Sequence, residues 1–274
     1  MSCARFFITP RELWASVGAA DAPCIIDVRR HEVYRQSDDM LPASMWRDPQ
    51  DVAVWSRGLE RSAPLVVACK SGHELSQTVA ATLREQGFAA SVLQDGYAGW
   101  AAAELPMVSK GARQRLVPQT PSLWVTRRHP KIDRIACPWL IRRFIDPQAR
   151  FLFVDSPLVE AVARETGAIA FDIEGVALSH EGERCSFDTM LKAFALESEP
   201  SLARLALIVR GADTARHDLA PEAAGLHAIS LGLSARAGDD DHGLLRTGFI
   251  VYDALFAWAR FAVNERHNWP VQAA

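Results

Sequence analysis

The sequence predicts an α/β protein in two parts, a mainly parallel sheet covered by helices and then a mostly helical α+β domain. Three observations carry this. Over the first hundred residues, β-rich runs of strand length alternate with stretches of helical periodicity, the pattern of a parallel sheet with helical crossovers. Residues 106–121, PMVSKGARQRLVPQTP, combine prolines, a glycine and basic side chains with little periodicity, as a linker does. From Pro200 onward helical spacing prevails. The expected division is a first domain over 1–106, a linker over 107–121 and a second domain over 122–274.

Composition bounds the function. With 274 residues, 49% of them hydrophobic, the chain can bury the cores of two domains. Thirty basic against 33 acidic side chains leave a formal charge of -3, so any anion site must be local, and nothing global points to nucleic acid or a membrane surface. No apolar run is long enough to cross a bilayer, and the opening MSCARFFITP lacks the features of a signal peptide, so a cytoplasmic protein is expected. The five cysteines, Cys3, Cys24, Cys69, Cys137 and Cys185, include no CxxC pair, which argues against a disulfide framework and a zinc ribbon.

In chain order, Thr9, Pro10 and Glu12 form the signature of a capping box, starting a short helix through Val17. Pro23–Arg29 is a β-rich run that places Asp27 and Arg29 at the carboxyl end of a strand, where open α/β sheets bind ligands. Leu41–Ser44 is a turn. Leu65–Ala68 is a buried strand that runs into Cys69-Lys70-Ser71-Gly72-His73, and Thr78–Gln86 has helical spacing. A thiol in a loop at the head of a helix faces inward-pointing N–H groups, which favour a thiolate or a bound anion, and Lys70 adds positive potential. Gly87–Leu93 supplies a helix stop and a further strand, followed by the turn Asp95-Gly96.

The second half opens with a strand at Leu123–Thr126 and a basic segment leading into a helix that starts after Ile132 and stops before Pro147. Helical spacing puts Arg134 and Arg142 near one face, with Arg128 and Lys131 able to converge from the helix start, an arrangement suited either to an oxyanion pocket or to a solvated basic face. A strand over Ala149–Val154, a helix over Pro157–Glu165 and a strand over Ala168–Ile173 follow. His180, Glu181, Glu183, Cys185 and Asp188 crowd one loop before a helix through Ala195, and these are metal-ligand types, so a divalent ion held by His180 and Cys185 is a candidate cofactor. Leu202–Gly211 is an apolar helix. Asp213, a third candidate ligand, shares a face with His217 only if that helix continues. A small-residue helix over Pro221–Ser234, an acidic turn at Ala237–Asp241 and a terminal helix over Gly248–Val263 complete the chain.

Four motifs in the first part, D-V-R at Asp27–Arg29, C-K-S-G-H at Cys69–His73, L-R-E-Q-G-F at Leu83–Phe88 and D-G-Y-A-G-W at Asp95–Trp100, make residues 5–105 resemble the rhodanese (sulfurtransferase) domain. The resemblance implies that Cys69 carries a persulfide sulfur, with Lys70, Gly72 and His73 in the loop that holds an anionic donor and Asp27 and Arg29 bracing it. Where commoner loops of that family carry arginine or threonine, this chain has Glu74, which is expected to raise the thiol pKa and repel thiosulfate. A family glycine is replaced by Asp95.

The run W-V-T-R-R-H-P-K-I-D-R-I-A-C-P-W-L-I-R-R-F-I-D from Trp124, with H-E-G-E-R-C-S-F-D from His180 and G-A-D-T, P-E-A-A-G-L, I-S-L-G-L-S and Y-D-A-L further on, makes residues 122–264 resemble the carboxy-terminal domain of the ChrB chromate-resistance family. The family's motif residues fall here on Lys131, Asp133, Arg134, Cys137, Trp139, Arg142, His180, Glu183, Cys185 and Asp213. The implied setting is a cytoplasmic chromate response, with a small-molecule sulfur donor or the chromate oxyanion as partner. Two readings stand: a thiol-based enzyme acting through Cys69, or a chromate or metal sensor acting through the second domain. DNA binding, suggested by regulators of that family, lacks a helix-turn-helix pattern here.

Overall fold

The computed structural model describes residues 5–265, so Cys3 and the outer ends of the two expected domains lie outside the described residues. The first part contains β1 (Phe7–Ile8), α1 (Pro10–Ser16), β2 (Cys24–Asp27), α2 (His31–Gln36), β3 (Asp39–Met40), β4 (Met45–Trp46), α3 (Val52–Trp55), β5 (Leu65–Ala68), α4 (Glu74–Glu85), β6 (Ala90–Leu93) and α5 (Gly96–Ala102). Strands β1-β6-β5-β2-β4 form one parallel sheet in that order, so Asp27, Ala68 and Trp46 share its carboxyl edge. This is the mainly parallel sheet that the alternating pattern predicts.

Local signals explain most of these elements. At α1 the Thr9 side chain accepts from the Glu12 N–H, and the Glu12 carboxylate accepts from the Thr9 N–H at 2.9 Å, the reciprocal capping box expected. Helix α4 starts at Glu74, four residues before the periodicity becomes visible, because the cysteine loop feeds straight into it. The short elements α2, β3, β4 and α3, with two to six residues each, carry too little periodicity to announce themselves.

The 107–121 segment, expected as a linker, holds β7 (Val108–Ser109) and α6 (Lys110–Leu116). β7 pairs antiparallel with β3. Lys110 is 5% exposed and donates to the Tyr34 and Arg35 carbonyls at the end of α2. A cation on the last carbonyls of a helix answers both their lone pairs and the helix dipole, which is why a basic segment is packed here rather than solvated.

The second part contains β8 (Leu123–Arg127), α7 (Asp133–Leu140), β9 (Arg150–Val154), α8 (Val159–Thr166), β10 (Ile169–Ala170), α9 (Ser186–Ala193), α10 (Pro200–Asp213), α11 (Ala223–Ala237) and α12 (Asp241–Ala257). Its three strands form a parallel sheet, β10-β8-β9, and the region is largely helical, as expected. Both α7 and α12 end in a π-helical turn, Ile141–Ile145 and Trp258–Ala262. No helix among the described residues is long and apolar enough to cross a membrane.

The sheet of the first part has a core on each face. One, with Ile26, Val67, Val79 and Leu83, encloses Cys69 under α4. The other, with Leu13, Val66 and Trp100, continues without a break through Val117 into Trp124, Trp139, Phe144 and Phe256 of the second part. Gly18, at φ +92°, lies against that junction: a Cβ there would stand 2.4 Å from Phe256 Cε1.

Candidate functional site

Strand β5 is buried along its whole length and delivers Cys69 to the carboxyl edge of the sheet, 5% exposed. The loop that follows is pinned by α5: Tyr97 N–H donates to the Cys69 carbonyl and Ala98 N–H to the Lys70 carbonyl, both at 2.9 Å. Such close backbone contact demands glycine. Gly72 has φ +69°, and a Cβ there would lie 2.6 Å from Asp95 N; at Gly96, φ +56°, it would lie 2.3 Å from the Cys69 carbonyl oxygen. Asp95 takes the left-handed conformation at φ 55°, which aspartate tolerates better than most residues, so the departure from the family's glycine leaves the turn intact.

The thiol sits among donors. Cys69 Sγ is 3.1 Å from Ser76 Oγ, and the Ser71, Ser76 and His73 backbone N–H groups face it. Burial pushes the thiol up, but the Ser76 hydroxyl and these three amides outweigh it, and the net shift is downward. The side chains of Lys70, His73 and Glu74 are all exposed, and none of them is among the main causes of the shift. The main stabilisation of the thiolate therefore comes from Ser76 and the loop amides rather than from Lys70, and the net shift runs opposite to the rise expected from Glu74. Ser76 went unnoticed in the sequence, although its position in the first turn of the helix after the cysteine was a usable signal.

Asp27 and Arg29 are each 1% exposed and form a buried ion pair, with Arg29 Nε 2.9 Å from Asp27 Oδ2. The Arg29 guanidinium stacks 4.0 Å over Tyr97, the residue whose N–H holds the Cys69 carbonyl. The pair thus braces the loop through α5 without touching the sulfur.

In the second part, four side chains from distant positions converge. His180 Nε2 lies 3.3 Å from Asp133 Oδ2, 3.4 Å from Asp172 Oδ1 and 3.3 Å from Asp213 Oδ2. Asp133 begins α7, Asp172 follows β10, and Asp213 ends α10. Asp172 is occupied, Oδ1 by the Ser186 hydroxyl at 2.8 Å and Oδ2 by Arg127 at 2.7 Å and Arg134 at 3.3 Å. Asp133, His180 and Asp213 each offer one ligand atom within 4.8 Å of the others. The hydrogen bond to Asp133 and the surrounding carboxylates push His180 up to about 9. Burial, then the Asp133 charge, pushes Asp213 up to about 8. Asp172 is likewise raised, by burial and by Asp133.

The expected groupings change accordingly. Cys185 is fully buried, its thiol donates to Asp188 at 3.4 Å, and burial holds it well above the thiol range, so Asp133 takes its place beside His180 and Asp213. Helix α10 stops at Asp213, and His217 instead lies 2.9 Å from His227. The four basic residues do not form a positive pocket. Arg134 pairs with Asp172, and Arg128 pairs with Asp239 at 2.9 Å. Arg142 donates to the Ala149 carbonyl and stacks on Phe151 and Phe249, and Lys131 makes no ion pair among the described residues. Acids remote in sequence neutralise the helix start, and the π-helical turn from Ile141 takes Arg142 out of the α-helical register. Asp172 could have been found by the rule that marked Asp27, an acid at the carboxyl end of a parallel strand.

Comparison with known proteins agrees with both halves. Residues 9–103 match the family described as rhodanese-like domain, and residues 124–259 the family described as ChrB, C-terminal domain. A curated relative, Protein ChrB of Cupriavidus metallidurans, is 38% identical over 133 residues, 48% of this chain but only 39% of that protein. Among solved structures, a rhodanese-related protein from Thermoplasma volcanium is 19% identical over 38% of this chain and 98% of its own, with a TM-score of 0.34. A rhodanese-like domain from Anabaena sp. is 27% identical over 38% of this chain and 78% of its own, also with a TM-score of 0.34. The chain is therefore similar in turn to a rhodanese-like domain, over residues 9–103, and to a ChrB C-terminal domain, over residues 124–259.

Proposed function

We propose that this chain acts in cytoplasmic chromate resistance as a thiol-based sulfurtransferase, with Cys69 as the sulfur-carrying nucleophile. The observation that supports it is the Cys69 sulfur, lowered in pKa by one hydroxyl and three amides despite burial. In the proposed step the thiolate attacks the sulfane sulfur of a small anionic donor. The Sγ–S bond forms as the donor's bond to that sulfur breaks, and its electron pair leaves with the remainder of the donor. The persulfide is held by the same amides and the Ser76 hydroxyl until an acceptor thiolate takes the outer sulfur and returns Cys69 as thiolate. Intact-mass spectrometry after incubation with thiosulfate and, separately, with glutathione persulfide tests this. Wild-type protein should gain one sulfur atom and Cys69→Ser none; wild-type protein that never gains sulfur ends the reading.

A second reading, metal binding by the ChrB half, is favoured by the spacing of the Asp133–His180–Asp213 cluster. Ligand atoms about 2.1 Å from a tetrahedral ion stand roughly 3.4 Å apart, and His180 Nε2 is 3.3 Å from both carboxylates. One imidazole N–H cannot bond three carboxylates at once, whereas a cation at their centre answers all of them. Two carboxylates and an imidazole suit zinc, manganese or ferrous iron. Metal analysis of purified protein should find about one equivalent, absent in His180→Ala and Asp213→Asn. Metal content unchanged in both variants, or no uptake of zinc or manganese, would remove this reading.

A further inference from the structure

We propose that the cleft where the two domains meet beside β4 binds a small organic anion, its acidic head held by Arg47 and Arg113 and its apolar body against Tyr34 and Trp46. The cleft measures about 530 Å³, within the range of small-molecule sites, and it exists only where the domains join: Tyr34, Trp46 and Arg47 come from the first part, Arg113 from α6, and Ile145 from the second part. Its two arginines use only part of their N–H donors. Arg47 reaches only the Trp46 carbonyl at 3.0 Å and Met45 Sδ at 3.8 Å, and Arg113 only the Val117 and Ile145 carbonyls. Neither makes an ion pair among the described residues, a trait shared with the part-buried Arg142 and Arg260, which bind carbonyls, but not with Arg29, Arg134, Arg143 and Arg210, which each pair with an aspartate. Guanidinium groups with N–H donors to spare, drawn partly out of water, are matched by a carboxylate, phosphate or sulfonate.

The acids in the cleft form no ion pair with either arginine among the described residues, although the Asp146 charge bears on Arg113. Asp146 spends Oδ2 on the Ser122 N–H and hydroxyl, at 2.7 and 2.6 Å, and Oδ1 on the Gln148 N–H at 3.1 Å; Asp48 Oδ1 accepts from the Gln50 N–H at 2.9 Å. Beside the arginines, the Tyr34 and Trp46 rings stack with centroids 5.7 Å apart and 30° between planes, and Met40 and Met45 line the same cleft. That surface is adaptable and apolar, suited to a planar or aliphatic body. The position also fits. Arg47 N–H donates to the Asp27 carbonyl at 2.9 Å, so the cleft lies on the carboxyl edge of the parallel sheet. The inference does not depend on sulfur transfer, since no cleft residue hydrogen-bonds to Cys69 among the described residues.

The probe is 2-naphthalenesulfonate, followed by ligand-observed NMR and by quenching of tryptophan fluorescence in the full chain, with neutral 2-naphthol and inorganic sulfate as separate arms. Saturable binding that weakens about tenfold in Arg47→Gln, and that weakens with added salt, is expected from the loss of one charge-assisted contact. Arg113→Gln should act alike, but Arg113 also ties two carbonyls, so Arg47→Gln, whose side-chain bonds reach only its neighbours, is the deciding variant. Trp46→Leu should weaken the sulfonate and leave the weak sulfate contact unchanged. Binding unaltered by Arg47→Gln, equal affinity for 2-naphthol, or equal affinity for sulfate would each overturn the proposal.

Discussion

Replacing Ser76 with alanine tests directly what sets the Cys69 thiolate. Ser76 is fully buried, with its hydroxyl 3.1 Å from Cys69 Sγ and also 3.1 Å from the His73 carbonyl oxygen. One hydroxyl proton serves one acceptor at a time. Turning it to the thiolate gains a charge-assisted bond worth about 1.5–3 kcal/mol and gives up a neutral one worth about 1 kcal/mol. The net, about 0.5–2 kcal/mol, favours the thiolate, so removing the hydroxyl should raise the Cys69 pKa. The three loop amides remain and still oppose the rise from burial. The assay is the pH dependence of iodoacetamide alkylation at Cys69, read by peptide mass spectrometry so that Cys3 does not interfere. Among the described cysteines Cys69 alone should react near neutrality, because burial pushes Cys24 up to about 11 and holds Cys137 and Cys185 well above the thiol range. An alkylation midpoint unmoved in Ser76→Ala, or one at the ordinary thiol value in the wild type, would refute the argument.

Two further outcomes follow from the same geometry. Gly96→Ala should cost on the order of 2–4 kcal/mol in urea unfolding, because φ is positive and the new Cβ meets the Cys69 carbonyl and Gly72 N, backbone atoms that cannot turn aside; Gly111→Ala, with open space around it, should be neutral or slightly stabilising. In protein stripped of metal with EDTA, melting temperature should fall as pH rises toward 9: His180, ordinarily 6.5, is raised to about 9, and Asp213, ordinarily 3.8, to about 8, so both favour the folded state when protonated. That contribution is complete below each unfolded value and lost as pH passes each folded one. His180→Ala with Asp213→Asn should flatten the slope, and an unchanged slope would contradict the shifts.

What was legible in the sequence is what neighbouring residues determine. The capping box at Thr9, the strand Leu65–Ala68, Cys69 and Gly72 in their loop, and the alternation that makes the sheet parallel are all written within a dozen residues of themselves. The acidic cluster is not. Asp133, Asp172 and Asp213 are joined to His180 only by the packing of α7, β10 and α10, and Asp172 gave no sign beyond a strand end. The same distance effect undid the positive pocket, since local spacing shows Arg128 and Arg134 but not Asp239 and Asp172, which neutralise them. Segment 107–121 misled because its short elements leave no periodic trace, although Lys110 in it is buried against α2.

The way that segment is packed decides how the chain unfolds. A flexible tether would let the halves melt separately, but here one apolar core runs from Leu13 and Trp100 through Val117 to Trp139 and Phe256. Backbone and charge contacts reinforce it. Ala43 N–H donates to the Phe144 carbonyl at 2.6 Å, and Arg260 donates to the Trp14 and Val17 carbonyls at 3.0 and 2.8 Å, closing the end of α1 from the far end of the chain. Separating the halves would expose Trp14, Phe144 and Phe256 and leave the last carbonyls of α1 without the Arg260 guanidinium, a loss no surface linker would incur. Denaturant unfolding followed by circular dichroism, and by the fluorescence of Trp46 and Trp124 in single-tryptophan variants, should therefore give one coincident transition. Arg260→Ala should shift both probes together. Two separated transitions, or a shift confined to Trp124, would mean that the shared core does not couple the domains.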